Sequence, residues 1–137
     1  MVSEIKMDEL REKAVGAFTG GYMCSETLVY ILNKYYDLGI SEEAIAMSTG
    51  FPFGFGDGGK VFGRTVPGDP KFQKCCSLVR ELNDDVIEKY ETTICPTLIQ
   101  DYNFKDPERK KHCIGIVLAV VDSFAKIMER ECGVKRV

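Results

Sequence analysis

Cysteine is the residue type in this sequence that is best suited to chemistry, and the chain has six of them. Four are predicted to project from helices that pack together: Cys24 and Cys95 at helix N-termini, and Cys75 and Cys113 on apolar helix faces. A helix N-terminus stabilises a thiolate through its dipole and its free N–H groups, and the thiolate is the form that attacks a disulfide or binds a metal ion. We therefore expect lowered thiol pKa values at Cys24 and Cys95, which are the candidate redox thiols.

The spacing of the cysteines matches no standard motif, because no C-x-x-C pair occurs and the closest pair is Cys75-Cys76. His112 is the only histidine, which excludes a histidine-rich metal site, and we interpret it as a capped or solvated helical residue. Cys132 is interpreted as a bystander. A metal site would bind an iron–sulfur cluster or a transition metal ion through thiolates drawn from Cys24, Cys75, Cys76, Cys95 and Cys113.

An even number of cysteines also suits a disulfide framework. Whether the cysteines cross-link the fold or act as redox or metal-binding thiols therefore depends on the cellular compartment. The first residues, Met1 to Glu4, lack the basic and then apolar stretch of a secretory signal, and we expect a reducing, cytoplasmic setting. In such a setting clustered cysteines more often bind metal or do redox chemistry than cross-link a fold.

Length and composition indicate a single domain, residues 1–137, with 45% hydrophobic residues to build its core. The net charge of −3 and the scattered basic residues argue against nucleic-acid binding. No apolar run reaches the ~18 residues that a membrane span needs, so we expect no membrane partner.

Hydrophobic periodicity predicts an all-α domain, a compact bundle of about five or six helices with one long Gly/Phe-rich loop. Ser3 is predicted to cap the first helix, which ends at Gly20-Gly21. The second helix begins near Cys24 and ends at Gly39, and a short third helix follows Ser41. No segment alternates with a period of two, so no strand is predicted.

The second half of the chain contains the clearest helix signals. Apolar residues from Phe72 to Tyr90 follow a nearly heptad spacing, which suits either a bundle core or a homodimer. Cys95 is predicted to cap a short helical turn that begins at the following proline. The run Asp106-Pro107-Glu108 combines a cap, a first-position proline and a first-turn acid, and the final helix that it begins is predicted to end at Gly133.

Between the two halves lies the segment Gly50–Gly59, whose phenylalanines are too apolar for an idle surface loop. We predict a packed functional loop that covers the site, with Gly54, Phe55 and Gly56 as candidate cofactor-binding residues. Its G-x-G-x-x-G pattern is not interpreted as a dinucleotide fingerprint, because no predicted strand precedes it and no helix opens directly after it.

Several segments together resemble the C_GCAxxG_C_C family. The run Ala17–Thr27 resembles that family's GYNCAQA opening, and Gly50–Gly59 resembles its GFGGGM segment. Leu78–Ile99 resembles its LVREF…CRELL segment, and Cys113, followed by an apolar helix, resembles its last cysteine. The resemblance covers most of the chain and extends to a domain of split-Soret cytochromes, which implies either electron transfer, with an electron-transfer partner, or cofactor binding. It also implies redox activity at the matched cysteines, which are Cys24, Cys95 and Cys113.

The sequence departs from that family at one motif. The family's second cysteine lies in a C-G-A-x-x-G motif after the glycine-rich segment, whereas this chain runs from Arg64 to Pro70 without it and continues towards Cys75-Cys76. We hypothesise that Cys75 or Cys76 substitutes for the missing thiol.

Two functions remain open from the sequence. In the first, Cys24, Cys95, Cys113 and one of Cys75 and Cys76 form a redox or metal site. In the second, the chain is a structural or oligomeric helical module whose cysteines are buried core residues and whose Phe-rich loop packs against a second subunit. Small-molecule binding by the loop phenylalanines ranks below both. The distance between the sulfur atoms discriminates the first two.

Overall fold

The computed structural model describes residues 1–47, 71–103 and 105–137. The predicted Gly/Phe-rich loop, with Gly54, Phe55 and Gly56, lies outside these residues. Two-residue strands β1 (Glu4–Ile5) and β2 (Lys135–Arg136) pair in parallel. The helices are α1 (Met7–Thr19), α2 (Cys24–Tyr36), α3 (Glu42–Met47), α4 (Lys71–Tyr90), α5 (Cys95–Leu98) and α6 (Pro107–Cys132).

Helix α6 is the centre of this fold, because α1, α2 and α4 all pack against it. Its sequence has apolar residues at helical spacing over a face wide enough to contact more than one neighbour. The predicted helical class is thereby confirmed. The buried apolar residues of α6 are Ile116, Val117, Val120, Val121, Phe124, Ala125, Ile127 and Met128.

The two ends of α6 are fixed by local sequence, as predicted. Asp106 caps the N-terminus: its carboxylate accepts a hydrogen bond from the backbone N–H of Glu108 at 2.9 Å. Gly133 follows the last turn with a left-handed φ of 71°, a conformation that glycine adopts without a steric penalty. None of the helices within the described ranges is both long and apolar enough to cross a membrane.

Three predicted boundaries are wrong by a few residues. The first helix begins at Met7 and not after Ser3, because residues 4–5 pair with the distant C-terminal strand and the carbonyl of Ser3 accepts from Lys135 N–H at 3.0 Å. The second helix ends at Tyr36, because Asp37 already adopts a left-handed φ of 55°. Ile94 occupies the cap of α5, so Cys95 is its first helical residue.

Charged side chains hold α4 against α6. Arg130 donates two hydrogen bonds to the carboxylate of Glu81, at 2.7 and 2.6 Å, and these bonds lower the pKa of Glu81. One turn away, both Lys126 and Ser123 donate to Asp85. A two-bond guanidinium–carboxylate pair fixes direction as well as distance. Because these side chains are partly exposed, the pairs supplement the apolar packing of α4, whose Leu82 and Val86 are buried in the core.

Replacing Asp106 with alanine removes the N-cap of the central helix. We expect Asp106→Ala to lower the free energy of unfolding by about 1 kcal/mol, whereas Asp106→Asn retains a capping oxygen and most of the stability. Urea denaturation followed by circular dichroism measures both, with Asp101→Ala as a control at an exposed acid nearby. Equal stability of Asp106→Ala and the wild type would contradict the role of the cap.

Candidate functional site

Three of the predicted site cysteines line one small cavity. Cys24 comes from the start of α2, Cys95 from the start of α5, and Cys113 from the second turn of α6. The cavity has a volume of about 50 Å³. This is well below the ~150 Å³ of a cavity that takes up benzene, so it suits a group of side-chain size. The remaining lining residues are aliphatic: Leu28, Leu98, Ile99, Ile116 and Val117.

Helical periodicity explains why these side chains share the cavity. Residues four apart lie on one helix face, which places Leu28 with Cys24 on α2 and Val117 with Cys113 on α6. The start of α2 is fixed by Glu26, whose carboxylate accepts from the backbone N–H of Met23 at 2.9 Å. The predicted position of Cys24 in the first turn, facing the core, is therefore confirmed.

The three thiols differ in their access to solvent. Cys24 and Cys113 are half-buried and pack against the hydrophobic core, whereas Cys95 is exposed. Exposed apolar residues directly precede two of them: Met23 is 51% exposed before Cys24, and Ile94 is 63% exposed before Cys95. Cys95 therefore has the most accessible of the three thiols, and it lies next to apolar surface.

The expectation of a lowered thiol pKa at Cys24 is wrong. Burial raises the pKa of Cys24 above its ordinary value, and proximity to Cys95 and Cys113 raises it further. The backbone N–H of Ser25 acts in the opposite direction, as expected at a helix N-terminus, but it does not offset the loss of hydration. The position at the start of α2 that exposes Cys24 to the helix dipole also packs its thiol, half-buried, against the core.

Cys113 has a charged neighbour that the sequence analysis missed. Burial raises the pKa of the Cys113 thiol, but the guanidinium of Arg109, which lies 4.0 Å from the sulfur atom, lowers it. Burial outweighs this charge, so the net pKa is raised. The signal was present in the sequence, because Arg109 precedes Cys113 by four residues on a predicted helix.

The other three cysteines do not line this cavity. On α4, Cys75 is half-buried and Cys76 is exposed. The pKa of the Cys75 thiol is raised, mainly by burial and also by the neighbouring Cys76. Cys132 lies at the end of α6. All six cysteines are free thiols. Within residues 1–47, 71–103 and 105–137, no three or more His, Cys, Asp and Glu side chains are grouped to hold a metal ion.

His112 connects two of the elements that carry thiols. Its Nε2 lies 2.9 Å from the backbone carbonyl oxygen of Leu98, and since that oxygen only accepts, the ring nitrogen donates. The imidazole also stacks on Tyr102, with ring centres 5.1 Å apart, and meets the edge of Tyr90 at 5.8 Å. No spacing in the sequence predicts these contacts, because each joins residues brought together by the fold.

Three free thiols thus line one apolar cavity within a helical fold. The model of the family described as "Putative redox-active protein (C_GCAxxG_C_C)" matches residues 22–127, and the chain belongs to this family. The match includes Cys24, Cys95 and Cys113 and confirms the resemblance found in the sequence. Neither the curated proteins nor the solved structures gave a match.

The raised pKa of Cys113 predicts how its alkylation depends on pH. Because only the thiolate reacts, the rate with iodoacetamide should rise about tenfold per pH unit from pH 7 to 8 and continue to rise above pH 9. Arg109→Gln removes the favourable charge and should slow the reaction at pH 7 about threefold, whereas Arg109→Lys should retain most of it.

Mass spectrometry of the Cys113 peptide measures these rates, and the exposed Arg80→Gln on α4 is the matched control. A rate at Cys113 that levels off below pH 8, or that is unchanged in Arg109→Gln, would contradict this description of the thiol.

Proposed function

We propose that this chain is a thiol–disulfide redox protein in which Cys95 is the attacking thiol and Cys113 the resolving thiol. The observation that carries the proposal is the convergence of Cys24, Cys95 and Cys113 on one apolar cavity. Membership of a family described as redox-active supports the same class of chemistry. The substrate class is a disulfide flanked by apolar groups, because exposed apolar residues border the accessible thiol.

The reaction has two exchange steps. The thiolate of Cys95 attacks one sulfur of the substrate disulfide, forms a mixed disulfide and releases the first substrate thiolate. The thiolate of Cys113 then attacks the Cys95 sulfur, forms the Cys95–Cys113 disulfide and releases the second substrate thiolate. Two electrons pass from the protein to the substrate, and the two protons lost by the cysteine thiols are taken up by the products. A dithiol electron-transfer partner then reduces the Cys95–Cys113 disulfide, which restores the two thiols and leaves the partner as a disulfide.

The difference in surroundings supports these proposed roles. An attacking thiol must be accessible, and Cys95 is exposed whereas the other two cavity thiols are half-buried. The resolving thiol must ionise inside the site. Arg109 lies beside Cys113 and favours its thiolate, while Cys24 has no described cationic side chain acting on its ionisation. Cys24 then serves as a third, slower thiol in the same cavity.

The alternative of a structural module finds less support, because none of the six cysteines is fully buried. A metal or iron–sulfur site also finds less support, since the described residues contain no metal-binding group of three or more His, Cys, Asp and Glu. Cys75 and Cys76 have no part in the proposed exchange because neither lines the cavity.

A small apolar disulfide, 2,2′-dithiodipyridine, tests the proposed roles in a background with Cys75, Cys76 and Cys132 replaced by serine. With Cys95 and Cys113 present, we expect two pyridinethione molecules released per chain as the internal disulfide forms. In Cys113→Ser the second release should slow at least about tenfold, leaving a pyridyl adduct on Cys95 that mass spectrometry detects.

Cys24→Ser is the matched control and should retain fast release of both molecules. Independent adducts on all three thiols, with no internal disulfide in any variant, would contradict the proposed function. Metal bound to the aerobically and anaerobically purified protein at one ion per chain, with loss of thiol reactivity, would also contradict it.

A further inference from the structure

The helix that carries Cys95 is weakly anchored by its own residues. Helix α5 has four residues: none of them is buried, and Leu98 is only partly buried where it packs against the core. Its backbone N–H groups bond locally, Leu98 to the carbonyl of Ile94 at 3.0 Å and Ile99 to that of Cys95 at 3.2 Å. A single isolated turn is not stable alone, since helix formation needs several consecutive turns or tertiary contacts. Contacts from outside α5 must therefore add to the packing of Leu98 in holding Cys95 near the other thiols.

His112 makes the contact that meets this need. It precedes Cys113 on α6, and its Nε2–H donates to the carbonyl of Leu98, the last residue of α5. The carbonyls of a last helical turn have no partner within the helix, so this bond satisfies one of them. The contact joins the element that carries Cys95 directly to the element that carries Cys113.

The imidazole is itself held in place by two aromatic rings. Tyr102, which follows α5, stacks on the ring at an interplanar angle of 24°, and Tyr90, the last residue of α4, contacts it edge-on at 84°. The half-buried ring therefore lies between residues on either side of α5 in the sequence. Gly115 allows this packing, because a Cβ at that position would lie 2.7 Å from the Tyr90 hydroxyl.

We propose that His112 is a positioning residue: its hydrogen bond to Leu98 holds α5 against α6, so that the Cys95 thiol stays at the cavity it shares with Cys24 and Cys113. The imidazole does not touch the substrate or the reacting sulfurs in this role. The redox consequence rests on the proposed function, but the anchoring of α5 by His112 stands apart from it and is measured separately.

Two substitutions separate the hydrogen bond from the ring packing. His112→Phe retains an aromatic ring between the tyrosines but has no donor, whereas His112→Gln has an amide N–H at a similar distance from the backbone. Lys111→Gln, at the exposed neighbouring position, is the matched control. Amide hydrogen exchange at Leu98 and Ile99, measured by NMR, reports the local opening of α5.

We expect exchange at these two amides to be about fivefold faster in His112→Phe than in the wild type, and to stay within about twofold in His112→Gln and Lys111→Gln. Exchange at Val120, a core residue of α6, serves as the internal reference, so that a general loss of stability is divided out. The quantity compared is the ratio of the exchange rate at Leu98 and Ile99 to that at Val120. If His112→Phe leaves this ratio unchanged, or if His112→Gln changes it as much as His112→Phe does, the proposal is overturned.

The rate at which dithiodipyridine converts Cys95 and Cys113 into a disulfide should fall in His112→Phe by a similar factor and recover in His112→Gln. Faster exchange at Leu98 and Ile99 in His112→Phe, without any change in the rate of disulfide formation, would overturn the link to Cys95. If the wild type forms no internal disulfide, the proposed function fails, and the exchange ratio alone still decides whether His112 anchors α5.

Discussion

Burial of the apolar face of α6 is the constraint on which the rest of the structure depends. The helix presents hydrophobic residues over a broad face, and α1, α2 and α4 cover it. Val121 and Met128 are completely buried as a result. Each such side chain contributes roughly 1.5–3 kcal/mol relative to an exposed one. The positions of Cys24 and Cys113 follow from this packing, because both lie on the edges of the faces that it buries.

That same packing explains the chemistry of the thiols better than the helix dipole does. The start of α2 offers Cys24 backbone N–H groups, yet removal of water from the sulfur outweighs them and raises the pKa of the thiol. At Cys113, burial raises the pKa of the thiol and the guanidinium of Arg109 lowers it, and burial again prevails. Access to solvent, which favours Cys95, therefore separates the roles more clearly than proximity to a helix end.

The sequence predicts those features that depend on neighbours along the chain. Asp106 and Gly133 delimit α6 as expected because a cap and a left-handed glycine act within one turn. The strand at Glu4–Ile5 was missed because its partner is more than 120 residues away in the chain. Family resemblance identified Cys24, Cys95 and Cys113, and the spacing of Arg109 four residues before Cys113 is a local signal that was missed. No local pattern places His112 beside Leu98, because that contact joins residues brought together by the fold.

Disulfide mapping of the oxidised wild-type chain tests the convergence of thiols most directly. The protein is equilibrated in an oxidising glutathione buffer, its remaining thiols are blocked, and the peptides are identified by mass spectrometry. We predict one internal disulfide that joins Cys95 to Cys113, with Cys75, Cys76 and Cys132 still reduced or carrying glutathione. An internal disulfide that joins Cys95 to Cys75, Cys76 or Cys132, or the absence of any internal disulfide, would contradict it.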